Sequence, residues 1–118
     1  MKRKLKGFTL VELVITIAIV IILSLVSAPI YRNYVDKAIA AEGVALLGSL
    51  YSAEKAYYAE YGNFYTKTIT TSYDQTLGVD ARGNKYFSIY SIMGSTSGWT
   101  IICNGAGSAE GFAGTIIA

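Results

Sequence analysis

The sequence predicts an α+β fold: a long N-terminal α-helix, kinked at Pro29, whose C-terminal half packs on a small antiparallel β-sheet. Three observations predict it. From Leu13 to Tyr31 nineteen consecutive residues carry no charge. From Tyr31 to Tyr61 the apolar residues recur at helical spacing, and from Lys85 onward short runs of aromatic and branched residues alternate with glycine-rich turns. At 118 residues, 53% of them hydrophobic, the chain forms one small core at most.

The first element is residues 1–30. Lys2, Arg3, Lys4 and Lys6 supply four of the ten positive charges, so the formal net charge of +2 reports a basic leader and no nucleic-acid surface. The apolar run that follows is long enough to cross a membrane. One residue in it is out of place: Glu12, a carboxylate where unpaired charge is costly. A secretory signal peptide would have its cleavage site imitated by Val26-Ser27-Ala28, but Glu12 interrupts its apolar stretch and Pro29 would follow the cut. A plain signal anchor fits the length and leaves Glu12 unexplained. Cleavage after Gly7 explains it, because Phe8 then carries a free ammonium group four residues from Glu12, on the same helical face. The two charges can meet within one subunit or between neighbours, and such pairing selects one axial register between packed helices.

The second element is the amphipathic helix over 31–61. Val35, Ile39, Gly43, Leu46, Leu50, Ala53, Tyr57 and Tyr61 fall on one stripe, with Asp36, Glu42, Glu54 and Glu60 on its flanks. Joined to the apolar run, it makes a helix of roughly fifty residues, about 75 Å long. Gly62-Asn63 stops it. Residues 62–84, rich in Thr, Ser, Gly and Tyr, read as an exposed loop. Residues 85–92, 99–103 and 111–117 read as three strands of an antiparallel meander, the last weakened by its glycines.

Several chemistries are disfavoured. There is no histidine and a single cysteine, Cys103, so no intramolecular disulfide and few zinc arrangements are available. Asp74 and Asp80 lack the ligand spacing of a calcium loop, so no metal and no cofactor is expected. No phosphate-cradling loop or activated nucleophile is visible, and the chain reads as a non-enzyme. Six dispersed Lys/Arg after the leader do not build a nucleic-acid surface.

The stretch Lys6-Gly7-Phe8-Thr9-Leu10-Val11-Glu12-Leu13, followed by an apolar helix containing Pro29, resembles the start of the type IV pilin family, which includes the pseudopilins of type II secretion. The resemblance covers roughly residues 1–35. It implies a leader over 1–7, cleavage between Gly7 and Phe8 by a prepilin peptidase that also N-methylates Phe8, a membrane and filament-core helix over 8–30, and a head over 31–118. It further implies a single-pass precursor in the bacterial inner membrane, pilus assembly machinery as a partner, and extracellular assembly into a homo-oligomeric helical filament. Glu12 would engage a neighbour's terminal amine and Pro29 would bend the helix. The loop after the helix is expected at the filament surface, as a linker or an adhesive contact. Two rivals remain open: a pseudopilin or minor pilin, and a membrane-anchored or secreted binding module. Many pilins close a C-terminal loop with a disulfide, which one cysteine cannot form, and the proline-containing pattern that follows the helix in major pseudopilins is absent.

Overall fold

The computed structural model describes residues 7–66 and 68–117; the basic residues of the expected leader lie outside them. The helix α1 spans Leu10–Tyr61, 52 residues, with Pro29 inside it. Contacts divide the chain within this helix, into Met1–Asp36 and Lys37–Ala118.

In the first unit, residues 7–34 are all exposed. Leu13, Ile15, Ile17, Ile19, Val20 and Leu25 each leave half or more of their surface uncovered. A helix apolar all round has no amphipathic face by which to choose a side, and it is stable only in lipid or among other apolar helices. The assignment continues without a break through Pro29. Pro29 has no N–H to give to the carbonyl of Leu25, the usual origin of a helix bend.

In the second unit a four-stranded antiparallel sheet is ordered β1-β4-β5-β6, with β1 Thr68–Thr71, β4 Tyr90–Ser95, β5 Gly98–Asn104 and β6 Ala113–Ile117. β2 (Tyr73–Asp74) and β3 (Val79–Asp80) form a separate two-stranded ribbon. Alternation fixes the inward face: Tyr90 and Ile92 of β4, and Trp99, Ile101 and Cys103 of β5, are buried. They meet Ile39, Leu46, Leu47 and Leu50 from α1, each such side chain contributing about 1.5–3 kcal/mol by leaving water. The connection between β4 and β5 is the pair Thr96-Ser97, with Ser95 opposite Gly98, so the hairpin is tight. A short 3-10 turn, Gly107–Ala109, precedes β6.

The meander β4-β5-β6 is present, but three expectations change. First, the segment 62–84 is not a plain loop: it supplies β1, which pairs with β4 in the register Ile69–Ile92, and the β2-β3 ribbon. Second, β4 begins at Tyr90 and not at Lys85. The Glu42 carboxylate of α1 accepts the backbone N–H groups of Lys85 (3.2 Å), Tyr86 (2.6 Å) and Phe87 (2.8 Å), so these residues are tied to the helix and unavailable to a strand ladder. Burial alone would raise the Glu42 pKa, and the three N–H groups outweigh it and hold it below the usual carboxylate range. Gly43 completes this docking, because a Cβ there would stand 3.0 Å from the Phe87 ring. Third, the buried stripe of α1 runs Ile39, Gly43, Leu46, Leu47, Leu50 and Glu54. Tyr61 is 60% exposed and lies against Tyr57, ring centroids 4.5 Å apart, while Glu54 is fully enclosed.

Candidate functional site

The N-terminal end of α1 is where the sequence concentrates its unusual chemistry. Gly7, Phe8 and Thr9 precede the helix without regular structure, and Phe8 is 84% exposed. The Gly7–Phe8 bond therefore lies on an exposed stretch outside the helix.

The next residues form a reciprocal cap. Thr9 is the N-cap and Glu12 the third helical residue: Glu12 Oε2 accepts the Thr9 backbone N–H at 2.8 Å and the Thr9 hydroxyl at 2.9 Å. In return the Thr9 Oγ1 accepts the Glu12 backbone N–H at 3.3 Å. This T-x-x-E capping box satisfies two donors that a helix start leaves without intrahelical partners. Thr9 was missed by an analysis of charge alone, although Thr followed three residues later by Glu before an apolar run is its sequence signature. The cap begins one residue after the Gly7–Phe8 bond, so cleavage there leaves it intact.

The remaining polar atoms of the apolar run are paired inside the helix. Thr16 Oγ1 donates to the Leu13 carbonyl at 2.8 Å, Ser24 Oγ to Val20 at 2.7 Å and Ser27 Oγ to Leu23 at 2.7 Å. Hydroxyls so bonded enter an apolar environment at little cost. Glu12 Oε1 is different. Both hydrogen bonds to the Glu12 carboxylate end on Oε2, and no described residue reaches Oε1. The run therefore presents one acceptor with spare capacity, next to the position that a new amino terminus at Phe8 would occupy.

In the second unit, the aspartates of the β2-β3 ribbon are taken up by internal partners. Asp74 Oδ1 caps a turn by accepting the N–H groups of Thr76 (2.8 Å) and Leu77 (2.9 Å), and its Oδ2 accepts the Tyr65 hydroxyl at 3.0 Å. Asp80 is paired with Arg82, whose guanidinium also lies 4.6 Å from the centre of the Tyr73 ring. Hydrogen bonds from Arg82 hold the Asp80 carboxyl down to about 2. Tyr90 is neutral, pushed up to about 12 by burial and the nearby Asp74 charge. Cys103 of β5, opposite Gly114 of β6, is buried, and burial pushes its thiol up. Among the described residues no group of three or more Cys, Asp or Glu side chains could hold a metal ion.

Comparison with known proteins agrees with the placement of the unusual chemistry at the N-terminal end. Residues 2–28 match the family model described as the prokaryotic N-terminal methylation motif, a segment that includes Gly7, Phe8 and Glu12. The chain is 31% identical to the fimbrial protein EcpC of Eikenella corrodens over an alignment covering 100% of this chain and 75% of that protein. It is 44% identical to the type IV major pilin protein PilE1 of Neisseria gonorrhoeae across 50% of this chain and 36% of that one. With the type IV major fimbrial protein FimA of Dichelobacter nodosus the identity is 48% across 42% of this chain and 31% of the relative. No solved structure matches. A helix that is apolar on every side over its first half and sheet-bound over its second, together with similarity to a fimbrial protein across the whole of this chain and three quarters of that protein, leads to one assignment: the chain belongs to the type IV pilin family.

Proposed function

We propose that this chain is the structural subunit of a type IV pilus-like filament, processed between Gly7 and Phe8 and assembled through its N-terminal helix. The supporting observation is a polar balance along that helix. From Leu10 onward every residue up to Tyr34 is exposed, each hydroxyl of the apolar run is bonded within the helix, and Glu12 Oε1 alone has spare acceptor capacity. A segment of this kind is at home in lipid and, equally, among copies of itself. Transfer from membrane to filament core then exchanges one apolar contact for another and need not be steeply uphill.

On this reading a prepilin peptidase cuts the exposed bond before the cap and methylates the Phe8 nitrogen. The precursor is held in the inner membrane by residues 8–30 until the pilus assembly machinery extracts it. In the filament, Glu12 accepts a hydrogen bond from a neighbour's Phe8 ammonium through Oε1 while Oε2 keeps the helix capped. Pro29 supplies a bend where the apolar run gives way to the head.

Mass spectrometry of protein sheared from cells tests the proposal. The expected species begins at Phe8 and carries one added methyl group. Recovery of filament protein that retains Met1–Gly7, or that starts at Pro29, overturns it. Abundant long fibres built from this chain are the accompanying expectation for a main subunit.

A further inference from the structure

We propose that Glu54 is a proton-operated clasp, protonated while the 62–66 strap is seated on α1 and releasing that strap when it ionises. The proposal concerns the head alone and does not depend on how the N-terminal helix is processed or assembled.

Glu54 is fully buried, an extreme position for a carboxyl on a helix whose other acids face solvent or take several partners. Its Oε2 accepts the Tyr65 backbone N–H at 3.3 Å, and its Oε1 has no partner among the described residues. The indole Nε1 of Trp99 is likewise enclosed and without a partner. Trp99 packs edge-on against Tyr51, centroids 5.8 Å apart, and Tyr51 lies one turn before Glu54 on the same helix.

A carboxylate there would keep two charged oxygens out of water for one long hydrogen bond and, among the described residues, no cation, whereas a carboxylic acid loses much less. The described groups around it do not supply the missing charge. On α1, Lys55 points its Nζ over the Tyr51 ring at 4.5 Å, and Tyr57 meets Tyr65 edge-on at 5.5 Å. From the strap comes only Tyr65, whose phenol is held neutral by burial and by the hydrogen bond to Asp74. Asp74 of β2, reached through that hydroxyl, is an acid itself. From β4, Tyr90 is neutral, and Trp99 of β5 does not titrate. Burial accordingly pushes the Glu54 carboxyl up, opposed only by the Tyr65 N–H.

The strap is what the carboxyl holds. Residues 62–66 leave the end of α1, cross the inner side of Gly94 with the Tyr65 carbonyl against it, and lead into β1. The same Tyr65 then ties the ribbon β2-β3 through Asp74. Ionising Glu54 draws water to an enclosed site, and opening the strap is the way to admit it. The seated strap thus binds one proton more than the open one, so raising the pH favours opening.

The test uses the full chain in detergent micelles, with Trp99, the single tryptophan, as the reporter. As the pH is raised above the unfolded carboxyl value the folding constant of the native chain falls, by up to about tenfold per pH unit until the raised folded-state pKa is passed, and Glu54→Gln flattens that slope. Infrared spectra of the native chain, followed as the pH is raised through and above the ordinary carboxylate range, show the carbonyl stretch of a protonated carboxylic acid that persists after the other acids have ionised and is absent from Glu54→Gln. That second readout stands even where the variant folds poorly. Parallel pH slopes for the two proteins, or no acid carbonyl band in the native chain, overturn the proposal.

Discussion

Replacing Gly94 by alanine tests how tightly the strap is fitted to the sheet. An added Cβ would overlap the Tyr65 carbonyl oxygen and stand 2.7 Å from the Tyr65 carbonyl carbon and 2.9 Å from Thr66 Cα. Non-bonded carbons need about 3.5 Å or more, and every obstructing atom is backbone, so no change of rotamer relieves the clash. The strap must move outward. Overpacking of this kind costs about 1–3 kcal/mol. Displacement also loses the Tyr65 N–H bond to Glu54 and its hydroxyl bond to Asp74, at about 1 kcal/mol each. The expected loss of roughly 3–5 kcal/mol is a large part of the 5–15 kcal/mol that holds an ordinary domain together. At about 4–8 °C per kcal/mol, the midpoint of thermal unfolding followed by Trp99 fluorescence should fall by roughly 12 °C or more. Gly48→Ala is the control, since its Cβ meets nothing within 4 Å and its position is mid-helix. It should stabilise the head by about 0.5–1 kcal/mol. A fall below about 5 °C in Gly94→Ala would refute the reasoning, because it would mean the strap does not rest on Gly94.

Two further outcomes are expected. Glu12→Gln keeps a side chain able to complete the capping box but removes the charge; membrane insertion and leader cleavage should persist while the yield of sheared filaments collapses. Thr9→Ala, which weakens the cap by about 1 kcal/mol and leaves the charge, should still polymerise. In the head, NMR titration of Asp80 should give a midpoint of about 2, and Arg82→Met should return it to the ordinary carboxylate range. Because the folded-state value is the depressed one, the contribution of this pair is present above the unfolded value and is lost as pH falls toward 2.

What the sequence made legible follows from how strongly each segment is constrained locally. The helix was visible because its two halves carry two different signals, an uncharged run and a 3.6-residue period, and Gly62 has the positive φ of 72° that ends a helix. The β4-β5 hairpin was visible because its inward residues are large and apolar. β1 was not, since Thr68-Ile69-Thr70-Thr71 puts only Ile69 among hydroxyls and becomes a strand through pairing with β4. The true start of β4 was hidden because it depends on Glu42, more than forty residues away, taking the N–H groups of 85–87. Glu54 illustrates a different failure: it stands four residues after Leu50, squarely on the buried stripe, but a charge is read as a solvent-facing residue unless a partner can be seen. At the N-terminal end, attention to the charge of Glu12 concealed its hydrogen bonds to Thr9.

Three acids of α1 share one device and differ in what they leave over. Glu12 accepts the N–H of the residue before the helix, Glu42 the N–H groups of three residues leading toward β4, and Glu54 the N–H of the strap after the helix. Both oxygens of Glu42 are occupied from within the head, so its charge is spent on architecture. Glu54 has an oxygen to spare but is closed off from solvent and has no cation beside it among the described residues, so a proton is what we propose takes up the unused capacity. Glu12 has an oxygen to spare on an exposed, predominantly apolar surface that carries no other charge from Phe8 to Tyr31. Only there can a partner from another chain satisfy the acid, and only there does the apolar ground make leaving it unsatisfied costly. The acid we propose for assembly is therefore distinguished from the other two by where its free acceptor lies, and not by its residue type or its place on a helix.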